Sequence, residues 1–256
     1  GKERLIFDAG TGLRLLGESL LNQKLTNTHL LLSHYHWDHI QGFPFFAPAF
    51  IPGNILKIYG ATKHHRQTLP EILGQQMSIP YFPITLKSMK AALDFQEITI
   101  AETFHIGEIA IDNRLLNHPG GGCLGYSVNW RGLKITYMTD TEHLPHKLSA
   151  NVLFLAEKAD VLIIDSMYTN QEYHSTEQSK VGWGHSTWEQ AVEVAKLSQV
   201  KQLILFHHAP DRTDRQLDEI SVRVKKCFPA TIIAQEGLSL VYNPTASKNL
   251  QAVLHK

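Results

Sequence analysis

The string His34-Tyr35-His36-Trp37-Asp38-His39 limits what this chain can fold into more than any other feature. It follows Leu30-Leu31-Leu32, an apolar run of strand length, so three imidazoles and a carboxylate are delivered at a strand end. In an extended segment, residues two apart point to one side, which lets His34 and His36 bind one ion. Asp38 and His39 follow as the chain turns away and can face a second. Imidazole nitrogen and carboxylate oxygen suit zinc and, less selectively, manganese or iron.

Two ions sharing an activated water need more donors than this string holds, and the same placement recurs along the chain. His118 follows Leu115-Leu116 and precedes Pro119-Gly120-Gly121-Gly122. Asp140 closes the run Ile135 to Thr139, and His207 closes Leu203 to Phe206. Strand ends are where open α/β sheets bind ligands. We therefore expect His34, His36 and His118 to hold one ion and Asp38, His39 and His207 the other, with Asp140 bridging through its two oxygens. His208 competes with His207; the residue directly after the strand is preferred. His64, His65, His105, His143, His146 and His174, the histidines outside any motif, default to surface or hydrogen-bonded roles.

The rest of the pattern alternates strands with helices. Strands are expected at Leu5 to Phe7, Leu30 to Leu32, Ile55 to Tyr59, Ile98 to Thr103, Ile109 to Leu116, Val161 to Ile164, Gln202 to Phe206, Ile232 to Ala234 and Leu238 to Tyr242. A hairpin spans Gly125 to Thr139 with Arg131-Gly132 at its turn. Leu13, Leu16 and Leu20 keep helical spacing, and Thr187 with Gln190 forms a capping box for the clearest helix. A further helix is expected from Leu217 to Cys227. The proline- and aromatic-rich stretch from Gly42 to about Ile100 reads as loops, with one short helix near Leu69 to Met77.

Composition narrows the function. Of 256 residues, 43% are hydrophobic and 19% charged, which argues against disorder. Lys plus Arg and Asp plus Glu both number 24, so no net positive charge marks a dedicated nucleic-acid binder. No apolar run is long enough for a membrane helix, so no membrane partner is expected. Two cysteines are too few for a disulfide framework and favour a cytoplasmic setting. The chain enters an apolar strand almost at once after Gly1, which suggests missing upstream residues.

The ordered set His34-x-His36-x-Asp38-His39, His118, Asp140 and His207, with Asp8-Ala9-Gly10-Thr11-Gly12 after an early strand, resembles the metallo-β-lactamase superfamily over nearly the whole chain. The resemblance implies an α/β fold, a four-layer αβ/βα sandwich with mixed sheets and two metals at one edge. It makes residues 1–256 a single hydrolase domain. Asp140 stands where zinc β-lactamases use Cys, and His36 where the oxygen-reducing branch uses Glu; a hydrolase other than a lactamase is implied. His185-Ser186-Thr187 resembles the His-Ser-Thr element of the tRNase Z and phosphodiesterase branch, where the His lies near the scissile phosphate. A His beside a phosphate is a competent general acid near neutral pH. Gly182 to Thr187, Phe206 to Pro210 and the Gly74 to Pro83 stretch look like a bacterial subgroup of metal-dependent hydrolases.

The tRNase Z family carries a long arm that grips tRNA between the third metal His and the bridging Asp. Here His118 and Asp140 stand 22 positions apart, room for a glycine turn and a hairpin only. A small phosphodiester, such as a cyclic nucleotide or a phosphoribosyl type, is therefore the expected substrate of a dinuclear phosphodiesterase, with Asp38 and His185 as catalytic residues. An armless RNA nuclease and a thioester or lactone hydrolase are the alternatives. Asp8 and Asp165 are candidates for orienting histidines, each balanced by a plain turn or strand-end role. Phe43, Phe45, Phe46, Phe50, Tyr81 and Phe82 are candidates for a base-stacking pocket, a small core under loops, or a homodimer contact.

Overall fold

The computed structural model describes residues 3–62, 65–144, 147–242 and 250–254. Its layering can be followed from the strand after the N-terminal helix. Residues on a strand alternate between faces, and Leu30 and Leu32 pack on one side of the sheet while Leu31 packs on the other. All three are essentially buried, so this sheet must be covered on both faces.

The first sheet is all parallel: β1 (Arg4–Phe7), β2 (Thr28–Leu31), β3 (Ile55–Gly60) and β4 (Ala92–Glu97), in that order. Its outer face is covered by α1 (Gly12–Ser19), the single turn α2 (Trp37–Ile40), α3 (Leu69–Gln75) and 3-10 turns at Phe43–Phe45 and Ala47–Phe50. The second sheet is mixed. It contains β5 (Phe104–Ile106), β6 (Ile109–Leu116), β7 (Cys123–Trp130), β8 (Leu133–Met138), β9 (Val161–Asp165), β10 (Gln202–Phe206) and β11 (Thr231–Ile233), lying in chain order across the sheet. Its outer face packs on α4 (Ala150–Ala156), α6 (Trp188–Leu197) and α7 (Asp214–Cys227); α5 (Asn170–Tyr173) is a single turn before α6. The inner faces meet around Leu31, Ile111, Leu124, Tyr126 and Tyr137. Helix, sheet, sheet, helix is the four-layer α/β architecture expected. β12 (Leu238–Tyr242) and β13 (Leu250–Leu254) form a separate antiparallel pair.

Strand direction places the chemistry. β8, β9 and β10 are parallel, and β6 runs with them because both it and β8 are antiparallel to β7. Their carboxyl ends therefore share one edge of the second sheet. The ends of β1 and β2 meet that edge, where Tyr126 donates its hydroxyl to the Leu32 carbonyl at 2.6 Å and Leu124 donates its N–H to the Ser33 carbonyl at 2.8 Å.

The stretch expected to be loops with one helix contains that helix, capped by Thr68 and Glu71, but also β4. The strand expected at Ile98 to Thr103 does not form. The chain turns there between sheets, and buried Asn113 holds the turn: its amide donates to the carbonyls of Thr99 and Glu102 and accepts from the N–H of Ala101. The β7–β8 hairpin turns at Arg131-Gly132 as expected, and Thr187 caps α6. Among the described residues no helix is long and apolar enough to cross a membrane.

Candidate metal centre

All seven sequence-predicted ligands converge. Asp140 lies between two groups and faces each with a different oxygen. Its Oδ2 stands 3.5 Å from His34 Nε2 and 3.5 Å from His118 Nε2, and His118 Nε2 is 3.0 Å from His36 Nδ1. Its Oδ1 stands 3.3 Å from His39 Nε2 and 3.2 Å from His207 Nε2. Asp38 Oδ2 completes the second group, 3.1 Å from His39 Nε2 and 3.5 Å from His207 Nε2. Donors on one tetrahedral ion with bonds of about 2.0–2.1 Å are separated by about 3.3 Å. These spacings match that edge length.

The backbone is bent to achieve this. Asp8 and His207 each follow a strand directly, Asp140 follows β8 after Thr139, and the three take positive φ angles of 60°, 56° and 40°. Such conformations cost non-glycine residues energy and persist where the surroundings enforce them, commonly at functional sites.

Outer partners fix the imidazoles. Asp8 accepts from His39 Nδ1 at 2.9 Å and also from the Ser33 N–H, the Ser33 hydroxyl and the Tyr137 hydroxyl. The Gly184 carbonyl accepts from His118 Nδ1 at 2.9 Å. Their Nε2 atoms are thereby left to face the cluster. His34 Nε2 and His39 Nε2 are buried and have no hydrogen-bond partner among the described residues. Buried polar atoms are rarely left so, and a cation in each group would satisfy them.

Electrostatics point the same way. Burial pushes the His34 imidazole down to about 2 and lowers that of His118, which keeps their lone pairs free. Burial also opposes charge on His39, but the carboxylates of Asp140, Asp38 and Asp8 outweigh it and push the imidazole up to about 12. Asp38 is held far below the carboxylate range by His207 and His39. In Asp140 burial disfavours the charged form, yet His39 and His207 prevail and hold it equally low. The acidic side of the cluster thus demands positive charge, which a divalent cation would supply in place of a proton.

His185 lies beside both groups, its ring 5.2 Å from that of His118 and 5.1 Å from that of His207. Asp165 accepts from its Nδ1 at 2.8 Å and also caps the end of β9 by accepting the Met167 N–H at 3.0 Å, so it fills both expected roles. His207, not His208, faces Asp140; His208 lines a neighbouring cleft. Of the aromatic candidates, Phe43 and Phe46 are core, Phe50 and Phe82 pack against it, and Tyr81 is exposed beside the site. Among the other histidines, His143 is buried, while His64 and His146 lie outside the described residues.

Sequence reasoning missed Glu142. This buried carboxylate accepts the N–H groups of Gly182 at 2.6 Å and Gly184 at 2.8 Å, and the Tyr173 hydroxyl. It anchors the loop that carries both the His118 acceptor and His185. Its only advance signal was its place two residues after Asp140.

The chain belongs to the β-lactamase superfamily: the family model described as the β-lactamase superfamily domain matches residues 3–208. It is a metal-dependent hydrolase, and the curated relatives it resembles over most of its length are named ribonuclease Z. It is 26% identical to ribonuclease Z of Lactiplantibacillus plantarum, an alignment that covers 90% of this chain and 85% of that one. In fold it is similar to the metallo-β-lactamase fold protein YhfI of Bacillus subtilis, with a TM-score of 0.64 at 19% identity over 90% of this chain and 84% of that one. A diphosphatase of the PhnP family gives the same TM-score, 0.64, at 18% identity over 91% of this chain and 78% of that one.

Proposed function

We propose that this chain is a dinuclear metal-dependent phosphodiesterase that cleaves RNA. The observation that carries the proposal is His185, held by Asp165 at 2.8 Å beside a cluster in which one Asp140 oxygen faces each group of donors. His34, His36 and His118 would hold one ion, Asp38, His39 and His207 the other, and Asp140 both. Zinc fits the nitrogen-rich donor set best, with manganese or iron as substitutes. Bound there, divalent cations supply water activated at neutral pH and stabilise charge on phosphoryl oxygens.

The protein side of the reaction follows from the hydrogen bonds. Asp165 accepts the hydrogen bond of His185 Nδ1–H and so favours the doubly protonated ring, whose second proton is on Nε2. Nε2 then donates a proton to the leaving oxygen, the task of a general acid near neutral pH. Asp8 keeps the lone pair of His39 Nε2 inward by accepting from Nδ1. Asp38, half-exposed at the mouth of the cluster, is placed to orient the attacking water.

RNA is the substrate class supported by the ribonuclease Z relatives, which the chain matches over nine-tenths of its length. The second reading is a small diester, either a cyclic nucleotide or a phosphoribosyl type. The 22-residue step from His118 to Asp140 favours it, because β7 and β8 fill that step and leave no segment for a tRNA-gripping arm. Zinc- or manganese-loaded protein assayed on structured RNA, single-stranded RNA, cyclic nucleotides, bis-p-nitrophenyl phosphate, a thioester and a lactone separates these. Cleavage of RNA that His185→Ala loses supports the proposal. Turnover of the small diesters alone selects the second reading, and turnover of the thioester or lactone alone overturns both.

A further inference from the structure

Two clefts flank the cluster. One, of about 550 Å³, opens past His34 and His36 and is walled by Trp37, Gln75, Gln76 and Tyr81. The other, of about 620 Å³, runs past His39 and His207 and is walled by three carboxylates, those of Asp8, Asp38 and Glu236. Among the described residues the first cleft has no carboxylate in its wall, and neither cleft has a lysine or arginine.

We propose that the first cleft is a nucleobase subsite: the base next to the scissile phosphodiester stacks on the exposed Trp37 and Tyr81 rings, and the Gln76 amide reads its edge. This rests on the phosphodiesterase reading above and adds what the substrate must carry.

Three observations converge on it. Trp37 stands between His36 and Asp38 in the chain, so its backbone is held beside the metal-binding side chains, yet the residue is 63% exposed. A tryptophan is usually covered, and here α2 begins at this residue and turns the ring out beside the cleft. Tyr81, 73% exposed, supplies a second aromatic face in the same wall. Gln76 caps the end of α3 at the cleft, and its Nε2 is buried with no hydrogen-bond partner among the described residues. An amide donor left without an acceptor is costly, and rotation of the side-chain amide toward a ligand would satisfy it. An amide offers one donor group and one acceptor, which is what the edge of a base requires, and every base has a face to stack. The second cleft offers no lysine or arginine to further phosphates, and Glu236 in its wall disfavours them. Binding on the base side then supplies the affinity that phosphate contacts supply in strongly basic nucleases.

The test compares a dinucleotide with methyl p-nitrophenyl phosphate, a diester without a base, on zinc-loaded wild type, Gln76→Leu and Tyr81→Ala. The ratio of kcat/KM for the dinucleotide to that for the methyl ester is expected to fall about tenfold in each variant, as loss of one stacking or edge contact implies. AMP should quench tryptophan fluorescence in wild type, and Trp37→Phe should remove that quench. An unchanged substrate ratio, or a quench that survives Trp37→Phe, overturns the subsite. If neither diester turns over but the Trp37-dependent quench is present, the phosphodiesterase reading fails and the subsite stands.

Discussion

Asp8 accepts from Nδ1 of His39 across 31 positions of sequence, at 2.9 Å, while three further donors hold its carboxylate still. Carboxylates behind metal-binding histidines fix the ring and raise its basicity, and their removal typically lowers metal affinity by about 10–100-fold. Asp8→Asn should therefore weaken zinc binding by about that factor at the group formed by Asp38, His39 and His207, and leave the group of His34, His36 and His118 loaded. Zinc titration with a competing chelator checks it: the variant should show one tight and one weakened site.

Glu142 makes a second prediction. Glu142→Ala leaves two backbone N–H groups and the Tyr173 hydroxyl without their acceptor in a buried setting. The expected cost is about 1–3 kcal/mol of stability, read as a lower Tm. Because Gly184 also orients His118, the variant should bind zinc more weakly at the His118 group, while Glu142→Gln, which keeps one acceptor, should recover part of both losses.

His185→Ala separates acid catalysis from metal binding. Zinc content should be unchanged, and kcat on a diester with a poor leaving group should fall by about 10²–10⁴-fold. A p-nitrophenyl leaving group needs little protonation, so its hydrolysis should fall far less. A comparison of kcat on the two substrates reads this directly.

Acid stability carries a fourth prediction. Arg212 clasps Glu172 through two nitrogens, both at 2.7 Å, and joins α5 to the loop after His207. This pairing is the main reason the Glu172 carboxyl is lowered to about 2 from a usual 4.5. A folded-state value below the unfolded one gives stability that is present above the unfolded value and lost as pH falls through the folded one. The Tm difference between wild type and Glu172→Gln should thus be largest near neutral pH and shrink between about pH 5 and pH 2. Since Glu172 is partly exposed, salt should also reduce it.

Much of the centre was legible because its donors are rare residue types at the ends of apolar runs: His34 to His39, His118, Asp140 and His207 each follow a recognisable strand. The capping box at Thr187 marks a helix start through local hydrogen bonds that sequence alone can signal, whereas the one at Thr213 went unread and α7 starts three residues before the expected Leu217. β4 was hidden because only Leu93 and Phe95 alternate in an edge strand. α4 was hidden because no cap bond marks its start at Ser149, whereas the equally short α3 is announced by Thr68 and Glu71. The missing strand at Ile98 depends on Asn113, a tertiary contact from a distant strand. Glu142 was invisible for the same reason, since its partners lie 31 to 42 positions away.

The central claim is that seven side chains enclose two cations with Asp140 between them. A crystal of the zinc-loaded protein, with diffraction collected on both sides of the zinc absorption edge, tests it most directly. The account predicts two anomalous peaks, one within about 2.0–2.2 Å of donor atoms on His34, His36 and His118, the other of donors on Asp38, His39 and His207, each also bound by an oxygen of Asp140. One peak, none, or a pair that Asp140 does not touch would contradict it.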